Sequence, residues 1–200
     1  MNAPDKAMHQ VDAAIAPVAT AGFAAGSLVM TASGPRAIEK LTPDCRIRTR
    51  SHGLQASLTA GIPLPGKPQR GLWIRDSLLG CRGGLLLGTG ERVKLRHMLL
   101  GALFGHRTAL VSVGHLAKGG LIGATQELRR FYSVCLPQPA LIQVNGVWLV
   151  SRGQGNAPLP ELIGEDARCA AEFGFFLRPI AAPEPRSRQM TNMDIHDGGG

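Results

Sequence analysis

The chain has 200 residues, 44% of them hydrophobic, enough for one sizeable core with a small appendage but not for several independent domains. Its 26 glycines and 14 prolines exclude long uninterrupted helices and favour short strands joined by tight turns, and no apolar run approaches the roughly 20 residues that cross a bilayer. The formal net charge of +8 is uneven, because positions 36 to 107 hold 13 lysines and arginines against four acids.

Residues 1–20 are alanine-rich without a clean apolar period and are expected to form a flexible leader. Asp5, His9 and Asp12 interrupt what would be the charged and apolar regions of a signal peptide. A cytoplasmic protein without membrane contact is the simplest inference, although the small-residue stretch APVATAG leaves export open. Residues 27–31 then predict a strand, with turns at Ser33-Gly34-Pro35 and at Leu41-Thr42-Pro43-Asp44 on either side of a second extended piece. The segment CRIRTRSHGLQASLTAGI predicts a strand, a His52-Gly53 turn and a returning strand. The two-residue period of a strand places Arg46, Arg48 and Arg50 on one face, a stripe able to meet the phosphates of a nucleic acid or another polyanion. No aromatic residue interleaves with them to stack bases, which favours an ordinary solvated face.

PLPGKPQRG predicts a loop and LWIRDSLLG extended structure, while residues 85–87, 93–100 and 109–113 are apolar pieces separated by glycine turns. Asn145-Gly146 between two apolar tetrapeptides is a strong hairpin signal, and Trp73 and Trp148 are expected to anchor the core. RGQGNAPLP then predicts a linker, ELIGEDARCAAEF a short helix, and the last residues a disordered tail. Nothing suggests βαβ units, so the fold class is all-β, or mostly β.

Cys45, Cys81, Cys135 and Cys169 lack the paired CxxC spacing of a zinc or redox motif and are expected to be buried small hydrophobes. The six histidines never stand at i and i+4, and LGTGERVK lacks the spacing of a phosphate loop, so neither a metal nor another cofactor is expected.

Several blocks together resemble the Hint domains, the self-processing modules shared by inteins and hedgehog proteins, and in particular their bacterial hedgehog/intein-like branch. GFAAGSLVMTASGPRAIEKLTPDCRIRTRSHGLQ is similar to the opening block of that family, LLLGTGERVKL to its central block, and FYSVCLPQPALIQVNGVWLVS to its late hairpin. The resemblance covers residues 21–151, leaving 1–20 as leader and 152–200 as linker, helix and tail, and it implies a horseshoe of short antiparallel strands and hairpins.

In that family a Cys or Ser attacks the carbonyl before it, and a histidine with a Ser/Thr companion protonates the departing amide nitrogen and holds the strained bond. Carried onto this chain, the nucleophile position falls on Gly22, the histidine on Glu91 and its companion on Gly88, with Thr89 one place later. The aspartate of the opening turn falls on Cys45, and the histidines of the late hairpin fall near Ser133 and Pro139. His115 stands where the family often has a histidine after a strand and is expected to pack or cap rather than catalyse. The resemblance therefore implies a degenerate, noncatalytic module serving an unidentified protein partner. Two alternatives are an autoprocessing domain with a displaced nucleophile at Ser27 or Cys45, and a polyanion-binding module using Arg46, Arg48 and Arg50.

Overall fold

The structure is a computed structural model that describes residues 18–59, 61–120 and 122–172. Most of the expected leader and all of the expected tail lie outside the described residues. Thirteen short strands follow in chain order: β1 (Phe23–Ala24), β2 (Leu28–Thr31), β3 (Gly34–Ala37), β4 (Arg46–Arg48), β5 (Leu54–Ala56), β6 (Leu72–Ile74), β7 (Leu85–Leu87), β8 (Arg92–Arg96), β9 (Thr108–Ser112), β10 (Gly123–Ala124), β11 (Phe131–Tyr132), β12 (Leu141–Val144) and β13 (Val147–Val150). Three short α-helices, α1 (Met98–Phe104), α2 (Val113–Lys118) and α3 (Gly164–Glu172), and two 3-10 turns, Ile38–Lys40 and Leu78–Gly80, complete the described fold.

The strands pair antiparallel in two sheets, as the glycine-punctuated sequence and the family resemblance both imply. One sheet runs β10-β6-β7-β1-β11, and the other β5-β4-β2-β12-β13-β8-β9 with β3 also on β2. Alternation along each strand decides which face is buried: Ile47 lies between exposed Arg46 and Arg48, and Val93 and Leu95 are buried between Arg92, Lys94 and Arg96. The inward set from the larger sheet, including Val29, Ile47, Ile142, Leu149 and Val111, shares one core with Phe23, Ile74, Leu85 and Leu87 of the smaller sheet. Each such side chain contributes about 1.5–3 kcal/mol by leaving water.

Several expectations change in three dimensions. The apolar run 93–100 is not a single strand, because the chain leaves β8 after Arg96 and turns into α1. There the His97 ring accepts from the Leu99 N–H at 3.2 Å, and Gly105, at φ +73°, ends the helix. A second helix missed by the sequence, α2, begins where the Ser112 hydroxyl accepts from the His115 N–H and lies 2.7 Å from the His115 ring, so His115 belongs to a helix cap. Trp73 is no core anchor, being 39% exposed, and Trp148 is only half-buried, on the solvent side of the larger sheet.

Among the cysteines, Cys45 and Cys81 are buried, Cys135 and Cys169 are partly exposed, and all four are unpaired thiols. Burial pushes the Cys81 thiol up to about 11, as suits inert filler. The expected helix from residue 161 begins only at Gly164, because Pro160 to Leu162 lie along the edge of β9, where Leu110 donates to the Pro160 carbonyl and accepts from the Leu162 N–H. Helix α3 adds Ala167, Ala170 and Ala171 to the main core.

The β12–β13 hairpin is the fold's best-specified turn. Asn145 and Gly146 have φ of +46° and +86°, the left-handed pair that such a turn requires. The Asn145 side chain also ties three segments together: Oδ1 accepts from the Leu28 N–H at 2.6 Å, while Nδ2 donates to the carbonyls of Gly84 (2.6 Å) and Arg82 (3.3 Å). Asn145→Ala should therefore cost about 2–3 kcal/mol, combining lost hydrogen bonds with a left-handed backbone that alanine resists. The check is the midpoint of urea unfolding, where Asn145→Gly should fall less because it relieves the backbone term.

Candidate functional site

The crossover from the smaller sheet to the larger one, residues 88–91, joins β7 to β8 and grips the segment that leads into β1. Gly88 donates to the Gly22 carbonyl, Thr89 to that of Ala19 and Gly90 to that of Thr20, each at 2.9 Å. From the far side, Ala19 donates to the Arg70 carbonyl at 2.7 Å, and Val18 bridges Arg70. Residues 18–20 are therefore docked rather than flexible, which corrects the expectation for the end of the leader. The grip needs close backbone approach: a Cβ on Gly88 would land on the backbone of Ala21, and one on Gly90 would sit 2.8 Å from the Thr20 carbonyl oxygen.

Gly22, Gly88 and Glu91 are thus brought together around a single peptide bond, Ala21–Gly22. The Gly22 N–H donates to Glu91 Oε1 at 2.7 Å, and this nitrogen is the one that would depart if the bond were attacked from position 22. Position 22 carries no nucleophile. Nor is there space for one, because its φ of +92° is left-handed, and a Cβ would meet Leu64 Cδ1 and the Tyr132 carbonyl oxygen, both at 2.7 Å. Thr89 donates its backbone N–H to Ala19 and accepts from the Gly114 N–H through its carbonyl, and it lines a cleft with Val18, Ser112 and His115 rather than the one beside Ala21 and Glu91.

Glu91 is 6% exposed. Burial pushes its carboxyl above the ordinary carboxylate range, opposed by the Gly22 N–H and then by the positive charges of Arg152 and Arg92. A buried carboxyl facing an N–H acts here as an acceptor that fixes the peptide. An open cleft alongside is lined by Ala21, Leu64, Lys67, Arg130 and Arg152.

The displaced-nucleophile candidates lie in other local structures. The Ser27 hydroxyl, buried, donates to the Ala24 carbonyl at 2.6 Å and closes the turn after β1. Cys45 Sγ accepts from Arg36 at 3.1 Å and from the Thr42 N–H at 3.3 Å, and lies 3.2 Å from the Thr42 hydroxyl. These donors, the Thr42 contacts foremost, hold its thiol below the ordinary range. The sulfur thus does the work that a carboxylate would do in that turn, and no histidine is among its partners. Ser133 and Pro139 are buried, the Ser133 carbonyl accepting from Thr59. Arg46, Arg48 and Arg50 are exposed on the outer face of the larger sheet, away from its buried side. Among the described residues no cluster of three or more His, Cys, Asp or Glu side chains is placed to hold a metal ion.

The family model described as Hint domain matches residues 21–156, more than half of the chain, and the protein belongs to that family. No curated protein and no solved structure matches it. The match begins one residue before Gly22 and ends just past β13, so it takes in both sheets and the loop that grips Ala21–Gly22. Among the described residues no helix is long and apolar enough to cross a membrane.

The Glu91 carboxyl gives a signed pH effect. Its folded value lies above the ordinary 4.5, so between the two the folded chain keeps a proton that the unfolded chain has released. The associated stability is complete below 4.5 and is lost as pH rises through the folded value. Glu91→Gln keeps an acceptor for the Gly22 N–H and removes the titration. The difference in unfolding free energy between wild type and Glu91→Gln should therefore shift in favour of the variant as pH climbs above 4.5, measured by urea denaturation across a pH series. A difference independent of pH would show that Glu91 does not titrate with folding.

Proposed function

We propose that this protein is a degenerate Hint domain of the bacterial hedgehog/intein-like branch that has lost autoprocessing and serves as a structural or interaction module. The observation that carries this is the state of the Ala21–Gly22 peptide. Its attacking position has neither a nucleophile nor room for one, and the nitrogen that should receive a proton instead donates one to Glu91. Gly88 and Glu91 have exchanged catalysis for docking: the same loop that would strain and protonate a scissile bond clasps the segment through backbone hydrogen bonds. The open cleft beside it, with Lys67, Arg130 and Arg152 on its walls, is then a place to hold a partner segment rather than to cut one. Four unpaired thiols fit a cytoplasmic setting.

Intact mass spectrometry of the purified full chain, fresh and after incubation with a thiol or hydroxylamine, should return one unbroken species. Appearance of a fragment ending at Ala21 would overturn the noncatalytic assignment. The double variant Gly22→Cys with Glu91→His should also remain uncleaved, because a Cβ at position 22 meets the Tyr132 carbonyl before any thiol is placed. Circular dichroism confirms that the variant is folded, and quantitative release of the leader by a folded double variant would show that the rest of the machinery had stayed intact.

A further inference from the structure

Arg46 and Arg48 stand on the solvent side of the larger sheet, opposite buried Ile47. The chain then continues across the sheet. Thr49 bridges Ile142, and the Arg50 N–H donates to the Leu141 carbonyl at 2.9 Å, so the third arginine is delivered over β12 to the indole of Trp148 on β13. Its guanidinium carbon lies 5.6 Å from the ring centroid. From the other side, β8 pairs with β13 through Val93 and Leu149, and this register puts the Lys94 ammonium 5.9 Å from the same centroid. Arg96 is exposed two residues further along β8.

Among the described residues, Arg46, Arg48, Arg50, Lys94 and Arg96 take part in no ion pair, whereas Arg92 on the same face is held by Glu161 at 2.9 Å. Their crowding is felt at Lys94, where burial, then Arg50 and Arg96, hold the ammonium below the ordinary lysine range. A bound anion would relieve that repulsion.

We propose that this face binds single-stranded nucleic acid, with phosphates on Arg46, Arg48, Arg50, Lys94 and Arg96 and an unstacked base on the exposed Arg50 guanidinium plane, which the Trp148 indole backs. Alternate strand residues are about 6.6 Å apart, comparable with the reach between successive phosphates of an extended strand. The half-buried aromatic ring among the cations distinguishes a stacking platform from a merely solvated charged face. A single strand is required because a paired base cannot offer its ring. The surface is separate from the cleft at Ala21–Gly22, so the proposal stands whether or not that cleft is catalytically silent.

The test uses the full chain and a fluorescein-labelled oligothymidylate of about 12 nucleotides, followed by anisotropy across a salt series. The expected slope of log affinity against log salt is about −2 to −3.5, from three to five phosphate contacts at about 0.7 each. Arg48→Gln should reduce the magnitude of that slope by about 0.7. Trp148→Leu should weaken binding about tenfold and leave the slope unchanged. Because Trp148 also packs on Leu110 and Leu141, the exposed change Arg50→Gln provides a second variant expected to fold normally and lose both affinity and slope. An unlabelled duplex of the same length should compete poorly. Absence of binding at low salt, equal binding of duplex and single strand, or affinity unmoved by Trp148→Leu and Arg50→Gln would each overturn the proposal. So would capture by phosphatidylserine vesicles, but not by the oligonucleotide, that depends on the exposed Met98, Leu99 and Leu103 of α1.

Discussion

The hydrogen bond from the Gly22 N–H to the buried Glu91 carboxyl is the constraint around which the groove is organised. A carboxyl withdrawn from water is costly unless it finds a donor, and a backbone N–H at the start of β1 supplies one. The bond fixes where the chain enters the smaller sheet, and the Gly88, Thr89 and Gly90 amides then close on the carbonyls of Gly22, Ala19 and Thr20. With the bond in place, glycine is required at 22 and 88, because a side chain at either would collide with the backbone or packing it faces. The same residues that leave position 22 without a side chain thus create the docking.

The two faces of the molecule use charge differently. Around Ala21–Gly22 one carboxyl is buried and positive charges from Arg152 and Arg92 offset part of its cost. On the outer face of the larger sheet, Arg50 and Lys94 share one aromatic ring and have no carboxylate partner among the described residues. Strand alternation separates the two environments, since every residue turned outward beside Ile47 or Val93 is turned away from the common core.

Much of the fold was legible in the sequence because it rests on local rules. The Asn145-Gly146 turn, the β4–β5 hairpin after the RIR alternation and the short acidic-start helix α3 all follow from turn chemistry and period. The helices α1 and α2 were not legible, since MLLGALF has no period that separates a short helix from a strand, and the caps that decide it are His97 and Ser112. At the site, the family resemblance singled out Gly22, Gly88 and Glu91, and the fold brings the three together. What could not be read was the sign of their interaction: a glutamate in a sequence says nothing of whether it will be buried against an amide. The arginine stripe was visible as alternation, but its aromatic companion lies on a distant strand and reaches Arg50 only through the pairing of β4, β12 and β13.

The clasp on residues 19–22 is made from backbone amides meeting backbone carbonyls, with the Gly22 N–H bound by Glu91. Such a seat holds Thr20 without regard to its side chain, although Ala19 is buried beside it and Gly22 has no room for a Cβ. Exposed Thr20 could be exchanged for most residues without weakening its attachment, whereas the glycines beneath it could not. In this seat position 20 is the one open to change, and what must be preserved at 22 and 88 is empty space rather than a side chain.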